Sequence, residues 1–194
     1  MHKRHYKCLL IAIYFFCQFS FAQSWKSLNG PIGANVVTSV ITKEKAEIFC
    51  LSKTDKLLIS KDKGKTWMEH SNGIQATNSS ISNKKIKESP NGEIYLSTNV
   101  KLYKFNQSNE IWEIKFESSS GILDFGFSPD GNSIYLAETQ KFYIAKNGGT
   151  FIPITSWWTH SAEFLCLGNN NNFVRRTLGA SGEIWKFNDD GTQL

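Results

Sequence analysis

The chain has 194 residues, 13% of them aromatic and 20% charged, and carries a formal net charge of +5. Three of its basic residues (Lys3, Arg4, Lys7) lie in a stretch that reads as a removable leader, and without them 19 basic residues face 17 acidic ones, a net charge of +2. That balance, with signs mixed along the chain, excludes charge-driven binding of nucleic acid or of an anionic membrane.

The leader comes first in chain order. A basic start, His2-Lys3-Arg4-His5-Tyr6-Lys7, is followed by an apolar run from Cys8 to Phe16, and Ser20-Phe21-Ala22 offers small residues at the cleavage positions before Gln23. Residues 1–22 are therefore expected to be a signal peptide, and 23–194 a single exported domain, secreted, periplasmic or on the cell surface. The apolar run falls short of the roughly 20 residues that span a bilayer, so no stable membrane insertion is expected after cleavage. Cys17 follows Phe15-Phe16 rather than small residues, which argues against lipidation.

Four segments of the mature chain align on one strand-like run. They are Glu47 to Ser52, Glu93 to Thr98, Ser133 to Glu138 and Asn172 to Thr177, with starts 46, 40 and 39 residues apart. A period near 40 residues marks a radially repeated sheet unit. A polar turn precedes each run: Lys43 to Ala46, Ser89-Pro90-Asn91-Gly92, Ser128-Pro129-Asp130-Gly131 and Asn169 to Asn171. A third strand follows each, at Lys56 to Ser60, Lys101 to Phe105, Lys141 to Ala145 and Glu183 to Phe187. No segment shows a helical period. The repeats are placed at about 33–74, 75–117, 118–156 and 157–194. The stretch from Trp25 parallels the one from Trp67, so a strand at 24–28 is a candidate to complete the last unit.

The first unit contains Ser60-Lys61-Asp62-Lys63-Gly64-Lys65-Thr66-Trp67. Asp62, with the Ser60 and Thr66 hydroxyls, can bond the backbone of a tight turn; Gly64 supplies positive φ and Trp67 a large cover. Worn copies follow at Gln107 to Trp112, Asn147 to Phe151 and Asp189 to Thr192. The Ser-x-Asp-x-Gly-x-Thr-Trp pattern resembles the Asp-box, or BNR, repeat of sialidase-like, sortilin-type and photosystem II assembly-factor-like propellers. The resemblance implies an all-β fold, a β-propeller of about four four-stranded blades. Either a four-bladed ring or the N-terminal part of a larger propeller fits, and the larger ring is favoured. It also implies a structural role for Ser60, Asp62, Gly64, Thr66 and Trp67 on the outer edge of a blade.

Loops between units, and between second and third strands, form the rim where such folds place function. Candidate ligand residues there are Trp157, Trp158, His160, Asp55 and Glu138. Adjacent tryptophans in extended backbone face opposite ways, so one of Trp157 and Trp158 can stack on a sugar ring or other planar ligand. A sialidase-type arginine clamp cannot be assembled, because Arg175 and Arg176 are the mature chain's only arginines and are consecutive. A xyloglucanase-like pair of carboxylates would have to come from Asp55, Asp124 or Glu138, which no motif pairs. No metal, cofactor or nucleophile motif is present, and Ser128 to Asn132 reads as a hairpin turn rather than a calcium loop. Lys84-Lys85-Ile86-Lys87 reads as a solvated strand face, and Cys50 and Cys166 as separate buried thiols. The expected function is a non-catalytic binding or assembly scaffold for a protein or glycan partner, without a cofactor; the alternative is a truncated glycoside hydrolase.

Overall fold

Short runs rich in Ile, Leu, Val, Phe and Tyr, broken by Gly- and Asn-bearing turns, pair as antiparallel strands. The computed structural model describes residues 30–31, 35–54, 56–75, 84–138, 141–156, 162–166, 172–178 and 181–188. The first sheet holds β1 (Val36–Ile41), β2 (Ile48–Ser52), β3 (Leu57–Ser60) and β4 (Met68–Glu69). The second holds β5 (Lys85–Glu88), β6 (Ile94–Ser97), β7 (Lys101–Asn106) and β8 (Ile111–Glu117). The third holds β9 (Ile122–Phe127), β10 (Ser133–Glu138), β11 (Lys141–Lys146) and β12 (Ile152–Ser156). The fourth holds β13 (Ala162–Cys166), β14 (Asn172–Leu178) and β15 (Ser181–Phe187). Strand order within each sheet follows chain order, and there is no helix among the described residues. The candidate closing strand at 24–28 lies outside them.

Each inner sheet is buried on both faces, which is why its strands read as nearly continuous apolar runs. Side chains alternate between faces with a period of two. On β6, Ile94 and Leu96 pack with Phe49, Leu51, Leu57 and Ile59 of the first sheet, while Tyr95 packs with Ile122, Phe125, Ile134 and Leu136 of the third. On β10 the same split sends Ile134 and Leu136 back to the second sheet, and Tyr135 and Ala137 toward Phe187 of the fourth. Each fully buried large side chain contributes about 1.5–3 kcal/mol, so these three seams supply the main cohesion. An aromatic contact crosses every seam: Phe49 to Phe105 at 5.7 Å, Tyr95 to Phe127 at 5.2 Å and Tyr135 to Phe187 at 5.0 Å between centroids.

First strands of successive sheets converge. β1 packs on β5 and β9 on β13, and Lys87 of β5 reaches β9, where its ammonium donates to Asp124 Oδ1 at 2.8 Å. This corrects the reading of Lys84 to Lys87 as a solvated face. Lys84 is only 5% exposed, and Lys85 as well as Lys87 turns to Asp124, because β5 stands at the common axis between two other sheets. Cys50 is a free, buried thiol whose pKa burial pushes up. The side chain of Cys166 lies outside the described residues.

Candidate functional site

The turn from Ser60 to Trp67 is built by its own side chains. The Asp62 carboxylate accepts from Thr66 N–H at 2.8 Å, from the Thr66 hydroxyl at 2.7 Å and from the Ser60 hydroxyl at 2.9 Å. Ser60 Oγ in turn accepts from Gly64 N–H at 2.7 Å, and Gly64 has φ +86°. The Thr66 N–H, then its hydroxyl, hold the Asp62 carboxyl down to about 2. Trp67 is half-buried at the end of the turn. The structure thus joins Ser60, Asp62, Gly64 and Thr66 in one local hydrogen-bond network, with Trp67 next in the chain.

A related device appears in the β9–β10 turn. Ser128 Oγ donates to Asp130 Oδ1 at 2.5 Å and accepts from Ser133 N–H at 2.8 Å, while Asn132 N–H reaches Asp130 Oδ1 at 3.0 Å. The β1–β2 and β5–β6 turns carry hydroxyls that do part of this work: Glu47 N–H donates to Thr42 Oγ1 at 2.9 Å and Glu93 N–H to Ser89 Oγ at 3.1 Å. The oxygens of Ser128 to Asn132 are therefore committed to a hairpin.

A cleft of about 470 Å³ opens between the first two sheets. Thr42, Glu44, Lys45 and Glu47 line it from the β1–β2 turn, and Glu88, Asn91, Gly92 and Glu93 from the end of β5 and its turn. Lys104 to Gln107, Glu113 and Lys115 close the outer side. Backbone geometry explains the position: turns after first and third strands gather at one end of the stacked sheets, where the first two leave a gap.

Several charges in the cleft are already matched. Both Glu88 oxygens accept from Lys43 N–H, at 2.9 and 3.1 Å, tying the second sheet to the first. Glu93 meets the Lys104 ammonium at 2.5 Å and the Tyr95 hydroxyl at 2.9 Å. Burial pushes the Glu93 pKa up, but these two donors outweigh it and hold it below the usual carboxylate range. Glu113 is lowered by the Asn106 amide at 2.7 Å and then by Lys115. Such groups stay ionised at neutral pH, so they present fixed charge and hydrogen-bond acceptors rather than a proton to deliver.

Of the rim candidates, Asp55, Trp157, Trp158 and His160 lie outside the described residues. Glu138 ends β10, is 2% exposed, and accepts from the Ser120 hydroxyl at 3.0 Å and the Tyr143 hydroxyl at 3.1 Å. The cleft is at the opposite end of the sheets and escaped sequence reasoning. One signal was available: Glu47 and Glu93 occupy the same position in the first two repeats, just before the second strand.

No family model matches the chain, and no curated protein matches it. Solved structures do. A catalytically inactive virginiamycin B lyase from Staphylococcus aureus with quinupristin aligns over 85% of this chain and 57% of its own, at 13% identity and a TM-score of 0.59. YCF48 bound to D1 peptide aligns over 78% of this chain and 51% of its own, at 16% identity and a TM-score of 0.54. The GH74 enzyme of Niastella koreensis aligns over 80% of this chain and 23% of its own, at 13% identity and a TM-score of 0.57. The chain spans less than two thirds of each of these proteins. All three are β-propellers, and at such identities the likeness speaks for fold alone. With three four-stranded antiparallel sheets and a fourth of three described strands, packed face to face around converging first strands, the chain is an all-β propeller of about four blades.

Proposed function

We propose that this chain is an exported, non-catalytic propeller of the Asp-box kind that serves as a binding or assembly scaffold for a protein or carbohydrate partner. The observation that carries the reading is the state of the cleft carboxylates. Glu88 is occupied by backbone N–H, and Glu93 and Glu113 are held by ammonium, hydroxyl and amide donors that keep them charged. A rigid surface of fixed charges and amides suits recognition, whereas acid catalysis needs a carboxyl whose pKa is raised. The self-closed network of Ser60, Asp62, Gly64 and Thr66 supports the Asp-box assignment, and the leader at 1–22 supports export. A neighbour of the same fold, YCF48, is bound to a peptide.

Two surfaces are offered to the partner: the cleft, and the loop with Trp157, Trp158 and His160 that the repeat alignment assigns to the opposite rim. Trp157→Ala and Trp158→Ala are expected to weaken capture of a partner from the native envelope or medium while the thermal transition survives. If neither change alters any capture, that platform is wrong. The likeness to a GH74 enzyme favours one competing reading, a portion of a glycoside hydrolase. Screening the mature protein on sialosides and β-glucans tests it, and turnover abolished by substitution of Asp55 or Glu138 would establish it.

A further inference from the structure

The run Lys84-Lys85-Ile86-Lys87 finds no use in the surfaces above. Lys85 and Lys87 are two residues apart on β5, so both side chains leave the same face, while Ile86 between them is buried against the first blade. Both ammonium groups meet one atom, Asp124 Oδ1, at 3.2 and 2.8 Å. Two cations sharing a single carboxylate oxygen repel one another, and a further anion bound between them would relieve that repulsion.

Their burial is unequal. The Asp124 side chain is 2% exposed, whereas each lysine side chain keeps 30% of its surface. The negative charge is inside, and part of each lysine side chain remains exposed where the first strands converge. Lys87 is pinned further, donating to Phe125 O at 2.5 Å and lying 5.1 Å from the centroid of the Phe125 ring. Lys85 meets Asp124 alone among the described residues, so its ammonium is the freer of the two. The hydroxyls nearest in the fold are already committed: Ser97, opposite Lys85 in the β5–β6 register, is buried and donates to Lys85 O, and Ser118 Oγ accepts from Ser120 and Gly121 N–H. Charge, rather than hydroxyl contacts, is what the lysine pair offers a ligand.

From this geometry we infer that Lys85 and Lys87 form an anion site at the axial end of the second and third blades, which takes the carboxylate of a small organic acid. Lys87 positions Asp124 and supplies fixed charge, and Lys85 swings to the incoming carboxylate. The site lies at the other end of the blades from the cleft and does not depend on it.

The test is calorimetric titration of the mature protein with glucuronate as the carboxylate probe and glucose as its neutral comparison. Glucuronate is expected to saturate in the millimolar range and glucose not to bind. Lys85→Gln should weaken binding by about tenfold or more, Lys85→Arg should retain most of it, and Lys146→Gln on an exposed strand end should leave it unchanged. Absence of saturable glucuronate binding, or equal affinity in Lys85→Gln, overturns the site. Should Lys85→Gln fail to fold, the wild type decides: binding must weaken at about 0.5 M sodium chloride, and salt-independent binding overturns the proposal.

Discussion

The two junctions flanking the second blade are fastened by different physics. Between the first and second blades the buried fastening is backbone and indole, with charged groups such as the Lys61–Glu110 pair left half-exposed at its edge: Trp112, 2% exposed, donates its N–H to Asn72 O at 2.9 Å and its Nε1–H to His70 O at 3.0 Å. Between the second and third blades the first strands are joined by charge, through Lys85, Lys87 and Asp124. The indole junction excludes water and responds little to salt; the charged one keeps partly exposed lysines at the axis. One blade thus couples a rigid outer seam to a polar inner one.

Substitutions can break that contrast. The largest effect is expected for Trp112→Ala, which deletes a buried indole and its interblade hydrogen bond to His70 O and should cost about 3–5 kcal/mol in urea unfolding. Next comes Gly73→Ala. Gly73 has φ +88°, and a Cβ there would run into the Trp112 carbonyl oxygen, so about 1–3 kcal/mol should be lost at the same seam. Asp124→Asn leaves two ammonium groups facing a neutral amide. Because each lysine is partly exposed, solvent screening limits the cost to about 1–2 kcal/mol, and the loss should shrink at high salt while that of Trp112→Ala does not. Equal salt response in the two variants would erase the distinction.

The smallest effect belongs to the Asp62 turn, whose hydrogen bonds stay within one blade. Hydrogen bonds from Thr66 and Ser60 lower the Asp62 pKa in the folded state from 3.8 to about 2. A lowered folded pKa contributes stability above the unfolded value that is lost as pH falls through the folded one. The wild-type thermal midpoint should therefore fall more between about pH 4 and pH 2 than that of Asp62→Asn, measured by circular dichroism. Parallel curves would show that the turn network contributes nothing to stability.

The repeat unit was legible because both of its periods are short-range. Alternating apolar residues at Glu93 to Thr98 and Ser133 to Glu138, with Pro-Asn-Gly and Pro-Asp-Gly before them, already specify a strand and the turn leading into it. The Asp62 network was readable for the same reason, since its members lie within seven residues. What the sequence hid depends on contacts between blades. Trp112 looks like the end of a worn box, yet its indole reaches His70, 42 residues earlier. The lysines of β5 look solvated until β9 brings Asp124 to them, 37 residues from Lys87. The cleft exists only where two turns from different repeats face each other.

Binding without turnover is the heart of the proposed role, and one paired assay on the mature protein addresses it. Sialosides and β-glucans would be titrated calorimetrically while reducing ends released in the same samples are counted. Saturable heat from at least one glycan with no new reducing ends is the expected result. Steady release of reducing ends that disappears in Glu138→Gln would contradict it.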